Sequence, residues 1–257
     1  GPLGGDFQVA LAAVADADQV LHFPYQAYSH VLRFFVEAAD DPRVERIWIT
    51  LYRVAEDSAV VRSLIRAARR GADVAAFVEV KARFDEARNL QWAAEMEEAG
   101  VRVFYSRPGI KVHAKLALVT RREGEEQKDF AFLGTGNFNE ATARVYADHA
   151  LLTADQRLTA DTREVFRFLW QEIDEPRCRH LLVAPFTLRT RLTELVEEEI
   201  RNAEGGRIAG MALKMNSLED RRMMDALYRA GTAGVRVNLI VRGICRIRPG
   251  LPGIGEN

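Results

Sequence analysis

Asp73-Val-Ala-Ala-Phe-Val-Glu-Val80 is a short apolar run bounded on both sides by helical patterning, and it decides the fold class. Before it, Asp57–Arg70 repeats apolar residues at helical spacing and stops at Gly71. After it, Asp85–Ala99 does the same and closes at Gly100. A run that is apolar at consecutive positions buries both faces, as a parallel strand does between layers of helices. Outward from this centre, Val44–Tyr52 and Val101–Tyr105 read as further strands. Pro108-Gly109 then turns the chain into the strand Ile110–Thr120, and Phe130–Leu133 and His149–Leu152 follow as shorter strands. Arg121–Asp129 is dense in charge and reads as a solvated hairpin loop. Asp155–Ile173 reads as a long helix whose stripe Val165, Phe166, Phe168 and Leu169 belongs to the core. The expected architecture is α/β, with mixed sheets flanked by helices.

From about Leu181 the pattern restarts. Laid over itself so that Glu56-Asp57 meets Glu219-Asp220, the chain also brings Leu64 onto Leu227 and Arg66-Ala67 onto Arg229-Ala230. The same shift carries Gly71 onto Gly234, Val74 onto Val237, Val78 onto Val241 and Arg83 onto Arg246, with no gap. Two tandem copies of one α/β unit are therefore predicted, over residues 16–180 and 181–257, the second incomplete. Gly1-Pro-Leu-Gly-Gly5 reads as a protease-cleavage scar of recombinant expression and is set aside.

At 257 residues the chain has room for one large or two small domains. No apolar run approaches a membrane span, and Asp6 and Asp16 interrupt the N-terminal apolar stretch, so a secretory signal is not expected. Cys178 and Cys245 lack metal-ligand spacing and imply no disulfide framework, which fits a reducing, cytoplasmic setting. The net charge of −1 supplies no global field for a polyanion, so phosphate recognition has to come from local clusters.

Such a cluster stands at Lys111-Val-His-Ala-Lys115, followed by Gly134-Thr-Gly-Asn-Phe-Asn139. Read as a strand, the first segment points Lys111, His113 and Lys115 one way and Val112, Ala114 and Leu116 the other. An imidazole between two ammonium groups suits an anion, and the ammonium charges disfavour the imidazolium that a histidine nucleophile must avoid. A cation about 4 Å from a phosphate charge gains roughly 4 kcal/mol at an effective dielectric near 20. The second segment offers glycines for close backbone approach and the amides of Asn137 and Asn139. A lone strand histidine is usually structural, but the H-x-K at His113 followed by the G-x-G-N-x-N at Gly134 reads as a phosphoryl site.

Arg53 and Arg83 each follow a predicted strand, at the carboxyl edge where α/β sheets bind ligands, and their planar forks suit phosphate oxygens. Arginine does not ligate Mg²⁺, so a magnesium ion here would ride on phosphate oxygens, with Asp85 or Glu86 as helpers. Asn139 either contacts phosphate or caps the turn; Tyr146 either meets a nucleotide or packs into the core. Arg242, Arg246 and Arg248 form a basic run that suits a polyanion or a solvated loop. His22, His30, His149 and His180 have no motif partner and read as structural.

The segments His22-Phe-Pro-Tyr25, Leu51-Tyr-Arg-Val-Ala55, Lys81-Ala-Arg-Phe-Asp-Glu86, Lys111–Lys115, Gly134–Glu140 and Val241-Arg-Gly243, taken in order, resemble the C-terminal, phospholipase D-like region of bacterial polyphosphate kinases. The resemblance runs from about residue 16 to the end. It implies reversible transfer of the ATP γ-phosphate to inorganic polyphosphate through a phosphohistidine at His113, with Lys115 and Asn137 in the catalytic group. It implies Arg53 and Arg83 around the phosphates and Mg²⁺, and Lys111, Tyr146 and Arg242 as phosphate or nucleotide contacts. ATP, ADP and polyphosphate are then the expected partners. Nucleic acid is not expected, and the whole enzyme is expected to be a homo-oligomer. A cytoplasmic location follows, with a peripheral position at the inner membrane face as its variant. The second copy's counterpart of His113 would fall at about position 276, past Asn257, so weak or absent turnover is expected of this stretch alone. Two rival readings stand beside this one. A phospholipase D-like phosphodiesterase or nuclease is disfavoured because Thr120 stands where H-x-K-x-x-x-x-D has its Asp. A non-catalytic polyphosphate- or nucleotide-binding domain would bind without turnover.

Overall fold

The computed structural model describes residues 10–52, 54–55, 57–79, 86–106 and 111–254, which fall into two compact units divided between Leu181 and Leu182. Arg53, Arg83 and Asp85 lie outside the described residues.

In the first unit the elements run α1 (Ala10–Asp16), β1 (Gln19–Phe23), α2 (Ser29–Asp40), β2 (Val44–Leu51), α3 (Ala59–Arg69), β3 (Asp73–Val78), α4 (Glu86–Glu98) and β4 (Arg102–Tyr105). They continue with β5 (Lys115–Glu123), β6 (Glu126–Gly134), α5 (Glu140–Ala143), β7 (Asp148–Thr153) and α6 (Gln156–Leu169). Seven strands form one sheet in the order β1-β7-β6-β5-β2-β3-β4. Strands β2, β3 and β4 are parallel, whereas β5 pairs with β2 antiparallel and opens an antiparallel meander through β6, β7 and β1. The sheet is therefore mixed.

Both faces are covered, which is why β2 and β3 read as continuous apolar runs. Ile47, Ile49 and Leu51 join α2 and α3 in one core with Phe34, Phe35, Val61 and Leu64. Each such side chain, once fully buried, contributes roughly 1.5–3 kcal/mol. On the other face the ring of Trp48 meets Phe166 and Trp170, and Trp170 stacks on Phe104 at 4.2 Å, so α6 lies against that side. Helix α3 starts where Ser58 accepts the Val61 N–H at 3.2 Å, and Gly71 ends the turn at φ 97°.

Two strand expectations need correction. The histidine strand begins at Lys115, not at Ile110 as its apolar pattern suggests, and residues 111–114 are irregular. The simple alternation also fails, because Ala114 is exposed and Lys115 is only 3% exposed. The charged stretch after it is no long loop. Strands β5 and β6 pair as far as Glu123 opposite Glu126, leaving only Gly124 and Glu125 in the turn. Buried Arg121 fits within the strand because Glu123 and Asp41 supply carboxylates and Phe130 lies under its guanidinium.

The second unit comprises α7 (Leu188–Glu204), β8 (Gly210–Met215), α8 (Arg221–Thr232) and β9 (Arg236–Val241), around Val196, Ile200, Leu227, Ala230 and Val235. Its described sheet is the parallel pair β8-β9, so the mixed character belongs to the first unit. The sequence repeat is also a structural one. The shift that superposes the two copies carries β3 onto β9 from end to end, Asp73 onto Arg236 and Val78 onto Val241. Gly234 repeats the Gly71 turn at φ 93°.

Candidate functional site

The pairing registers of the first unit bring the motifs to one sheet edge. Leu51 is level with Val78, so the carboxyl ends of β2 and β3 emerge together. Because β5 runs antiparallel to β2, its start lies at that edge, and Lys115 is level with Gly134, the end of β6. Gly134 is level in turn with Ala150, and His149 with His22. A mixed sheet thus gathers Tyr52, Lys111–Lys115, Gly134–Asn139, His149 and His22, which are scattered along the sequence.

His113 is exposed, and the Lys115 ammonium lies 2.9 Å from its Nδ1 and 3.0 Å from its Nε2. That ammonium also donates to the His113 carbonyl at 2.5 Å. Tyr52 organises the cluster. Its ring meets the His113 imidazole edge-on at 4.8 Å, with the Lys115 and Lys111 ammonium groups 5.1 and 5.7 Å from its centroid. Both distances fall within cation–π range. Sequence reasoning missed Tyr52 because an aromatic at a strand end reads as core; its place directly before Arg53 was the available signal.

The glycine turn is built for close approach. A Cβ on Gly136 would lie 2.6 Å from the Asp148 carboxylate, and one on Gly134 would lie 2.6 Å from the Phe132 ring. Asn137 Oδ1 is buried without a hydrogen-bond partner among the described residues. Asn139 caps α5, its Oδ1 accepting the Ala141 and Thr142 N–H groups at 3.1 Å. Tyr146 is exposed and not packed into the core. His22 and His149, read from sequence as structural, stack on each other at 4.3 Å on this same edge. Thr120 is fully buried and donates to Asp129 at 2.6 Å, well along β5 from His113, so it takes no part in the edge cluster.

In the second unit Arg242 follows β9 and is exposed, and its guanidinium donates to Asn216 Oδ1 at 2.8 Å. Arg246 and Arg248 are exposed beside it in sequence. As for metal, no group of three or more His, Cys, Asp or Glu side chains converges among the described residues. Among the described residues, the groups around the Tyr52 ring are two ammonium groups and an imidazole, a set that does not by itself hold a magnesium ion. No described helix is long and apolar enough to cross a membrane.

Two family models match most of the chain: polyphosphate kinase C-terminal domain 1 over residues 9–175 and C-terminal domain 2 over residues 181–257. The polyphosphate kinase of Salmonella typhimurium is 45% identical over 98% of this chain, which spans 36% of that protein's length. The crystal structure of polyphosphate kinase from Porphyromonas gingivalis superposes with a TM-score of 0.86 at 44% identity, over 95% of this chain and 41% of that one. A phosphatidylserine synthase from Haemophilus influenzae shares the fold alone, at 10% identity and a TM-score of 0.55, over 88% of this chain and 62% of that one. By sequence along nearly its full length and by the architecture that carries the edge cluster, the chain belongs to the polyphosphate kinase family.

Proposed function

We propose that this chain carries the phosphoryl-transfer centre of an ATP:polyphosphate phosphotransferase, with His113 as the group that is transiently phosphorylated. The observation that carries the reading is the packing of His113, Lys111 and Lys115 around one tyrosine ring at an open sheet edge. An ammonium equidistant from both ring nitrogens aligns on neither lone pair and repels an imidazolium. The in-plane lone pair of the neutral ring is then the nucleophile. It attacks the terminal phosphorus of ATP, the N–P bond forms, and the bridging P–O bond breaks with its electrons leaving on ADP. In the second half, a terminal oxygen of polyphosphate attacks that phosphorus and the N–P bond breaks, returning the electron pair to the ring. The negative charge on the three transferring oxygens is what Lys111 and Lys115 stabilise, as cationic clamps do in phosphoryl transfer generally.

Asn137, whose Oδ1 is buried, is proposed to donate its amide nitrogen to the same oxygens. Arg53 and Arg83 are proposed as forks on the incoming phosphates, and Tyr146 and Arg242 as nucleotide contacts. Magnesium enters this reading with the nucleotide, bound by phosphate oxygens. A homo-oligomeric whole enzyme and a cytoplasmic location, with its membrane-peripheral variant, remain part of the proposal. The direct experiment is incubation with [γ-³²P]ATP and Mg²⁺, followed by mapping of label. Acid-labile, base-stable label on His113 that disappears in His113→Ala is expected. Label that survives hot acid, or persists in that variant, removes the assignment.

A further inference from the structure

We propose that Glu79 is a positioning residue for His113: its buried carboxylate fixes the irregular segment that presents the imidazole. The proposal rests on the phosphohistidine reading above for its functional half, and on geometry for the other. Glu79 follows the last residue of β3 and is only 1% exposed. Its main chain is locked on both sides. Its N–H donates to the Leu51 carbonyl at 2.9 Å, and its carbonyl accepts from Asn89 Nδ2 at 3.1 Å. Asn89, itself fully buried, donates also to the Tyr52 carbonyl at 2.8 Å, so the ends of β2 and β3 are tied together beneath the tyrosine platform.

From that fixed point the carboxylate reaches across two segments. Oε1 accepts the Ser106 hydroxyl at 2.8 Å, and Oε2 accepts the backbone N–H of Val112 at 3.0 Å. Residues 111–114 belong to no strand, so Val112 N–H has no place in a sheet ladder, and the carboxylate supplies its acceptor. The other flank of His113 is held in a similar way. Thr50 donates its hydroxyl to the Ala114 carbonyl at 2.7 Å and accepts the Leu116 N–H at 3.0 Å. The histidine thus sits between two side-chain anchors, one residue away on either side. A carboxyl group with two acceptor oxygens suits the first anchor because each oxygen receives a donor; an amide would turn an NH₂ group toward one of them.

The repeat argues that the carboxylate serves the site and not the α/β unit as such. The residue that the repeat superposes on Glu79, at the equivalent end of β9, is a base, Arg242. The second unit closes the same strand end without a buried acid.

Hydrogen exchange and labelling of Glu79→Gln decide the matter. In the parent chain the Val112 amide should be protected although its segment is irregular. In Glu79→Gln it should exchange at least tenfold faster, with an unchanged cooperative melt. Diethyl pyrocarbonate modification of His113 should change in rate relative to His22 and His149, which serve as internal references. Incorporation of acid-labile phosphate from ATP should fall roughly 10- to 100-fold, with half-saturation by ATP within about threefold, since misplacement of a reacting group by about 1 Å has losses of that order. Glu79→Asp, which keeps both acceptors on a shorter stem, should recover part of the loss. Rapid exchange of Val112 in the parent chain overturns the proposal whether or not the variant folds. An unchanged His113 reactivity and labelling rate in a folded Glu79→Gln does the same. Should the parent chain take no label, the phosphohistidine reading fails by itself, and Val112 exchange with His113 reactivity still judge the anchor.

Discussion

The Lys115 ammonium sits 2.9 Å from one ring nitrogen of His113 and 3.0 Å from the other, held there by the His113 carbonyl at 2.5 Å. A charge tethered to the nucleophile's own backbone moves with it, so imidazole and cation meet an incoming phosphate as one preformed unit. Lys115→Met keeps the buried stem and removes the charge. Its phosphorylation rate at His113 should fall by roughly 10²–10³-fold, the usual scale for losing a preorganised electrostatic contact. The melting temperature should change little, because a similar volume is filled. Lys115→Arg should not restore the rate, since a planar fork cannot take the place of a compact ammonium between two nitrogens. Parent-level labelling in Lys115→Met would take Lys115 out of the chemistry.

Tyr52 holds both ammonium groups and the imidazole against one ring. The attraction comes from the ring's quadrupole and is worth roughly 0.5–2 kcal/mol per cation. Tyr52→Phe should therefore label His113 within about threefold of the parent, and Tyr52→Leu about tenfold or more slowly, a difference of ~1.4 kcal/mol per factor of ten. Parent-level labelling in both variants would show that the platform is not aromatic in function. A loss in Tyr52→Phe as large as in Tyr52→Leu would move the role to the hydroxyl.

Arg53 and Arg83, each of which follows a strand expected from the sequence, are proposed as forks for phosphate oxygens. Charge-assisted hydrogen bonds of this kind are worth roughly 1.5–3 kcal/mol. Arg53→Ala and Arg83→Ala should each weaken polyphosphate binding about tenfold or more in direct titration, with a melting temperature close to the parent's. Lowered thermal stability with undiminished anion affinity would assign them to the fold.

Much of this was legible because the physics was local. The apolar runs of β2 and β3 report burial on both faces, and Ser58 and Gly71 punctuate α3, so these elements stand close to their expected bounds. What was not legible depends on neighbours distant in sequence. Arg121 and its charged surroundings imitate a loop until Asp41, from the end of α2, is seen beside the guanidinium. Lys115 imitates an exposed strand lysine until its own carbonyl partner and the Tyr52 ring bury it. Glu79 imitates a solvated strand end; its role depends on Val112, in a different segment of the chain. Helix α2 was legible in principle, since Val31, Phe34, Phe35, Ala38 and Ala39 are buried at helical spacing, whereas β1 gains its strand character by pairing with β7. The histidine, its lysines and the glycine turn were readable as a motif. The tyrosine and the acid that hold them were not.

A last prediction separates stability from chemistry. Asp161 lies on α6, 5% exposed, and its Oδ2 accepts three successive backbone N–H groups: Arg179 at 3.0 Å, His180 at 2.5 Å and Leu181 at 2.8 Å. Such a cluster of converging amides is an anion nest, here filled by a side chain, and it binds the last residues of the first unit to the helix that covers its sheet. In Asp161→Ala three part-buried donors lose their acceptor together, at up to about 1–3 kcal/mol for each group that water cannot reach. Partial relaxation toward water should bring the total to about 3 kcal/mol or somewhat more, visible as a lower urea midpoint for the first unit. Asp161→Asn retains one acceptor oxygen and should lose less. Neither change touches the His113 edge, so labelling of His113 well below the melting temperature should stay within about twofold of the parent. An unshifted urea midpoint in Asp161→Ala would mean that the tail is held by other contacts. A collapse of labelling in a still-folded variant would mean that α6 communicates with the histidine segment through the sheet.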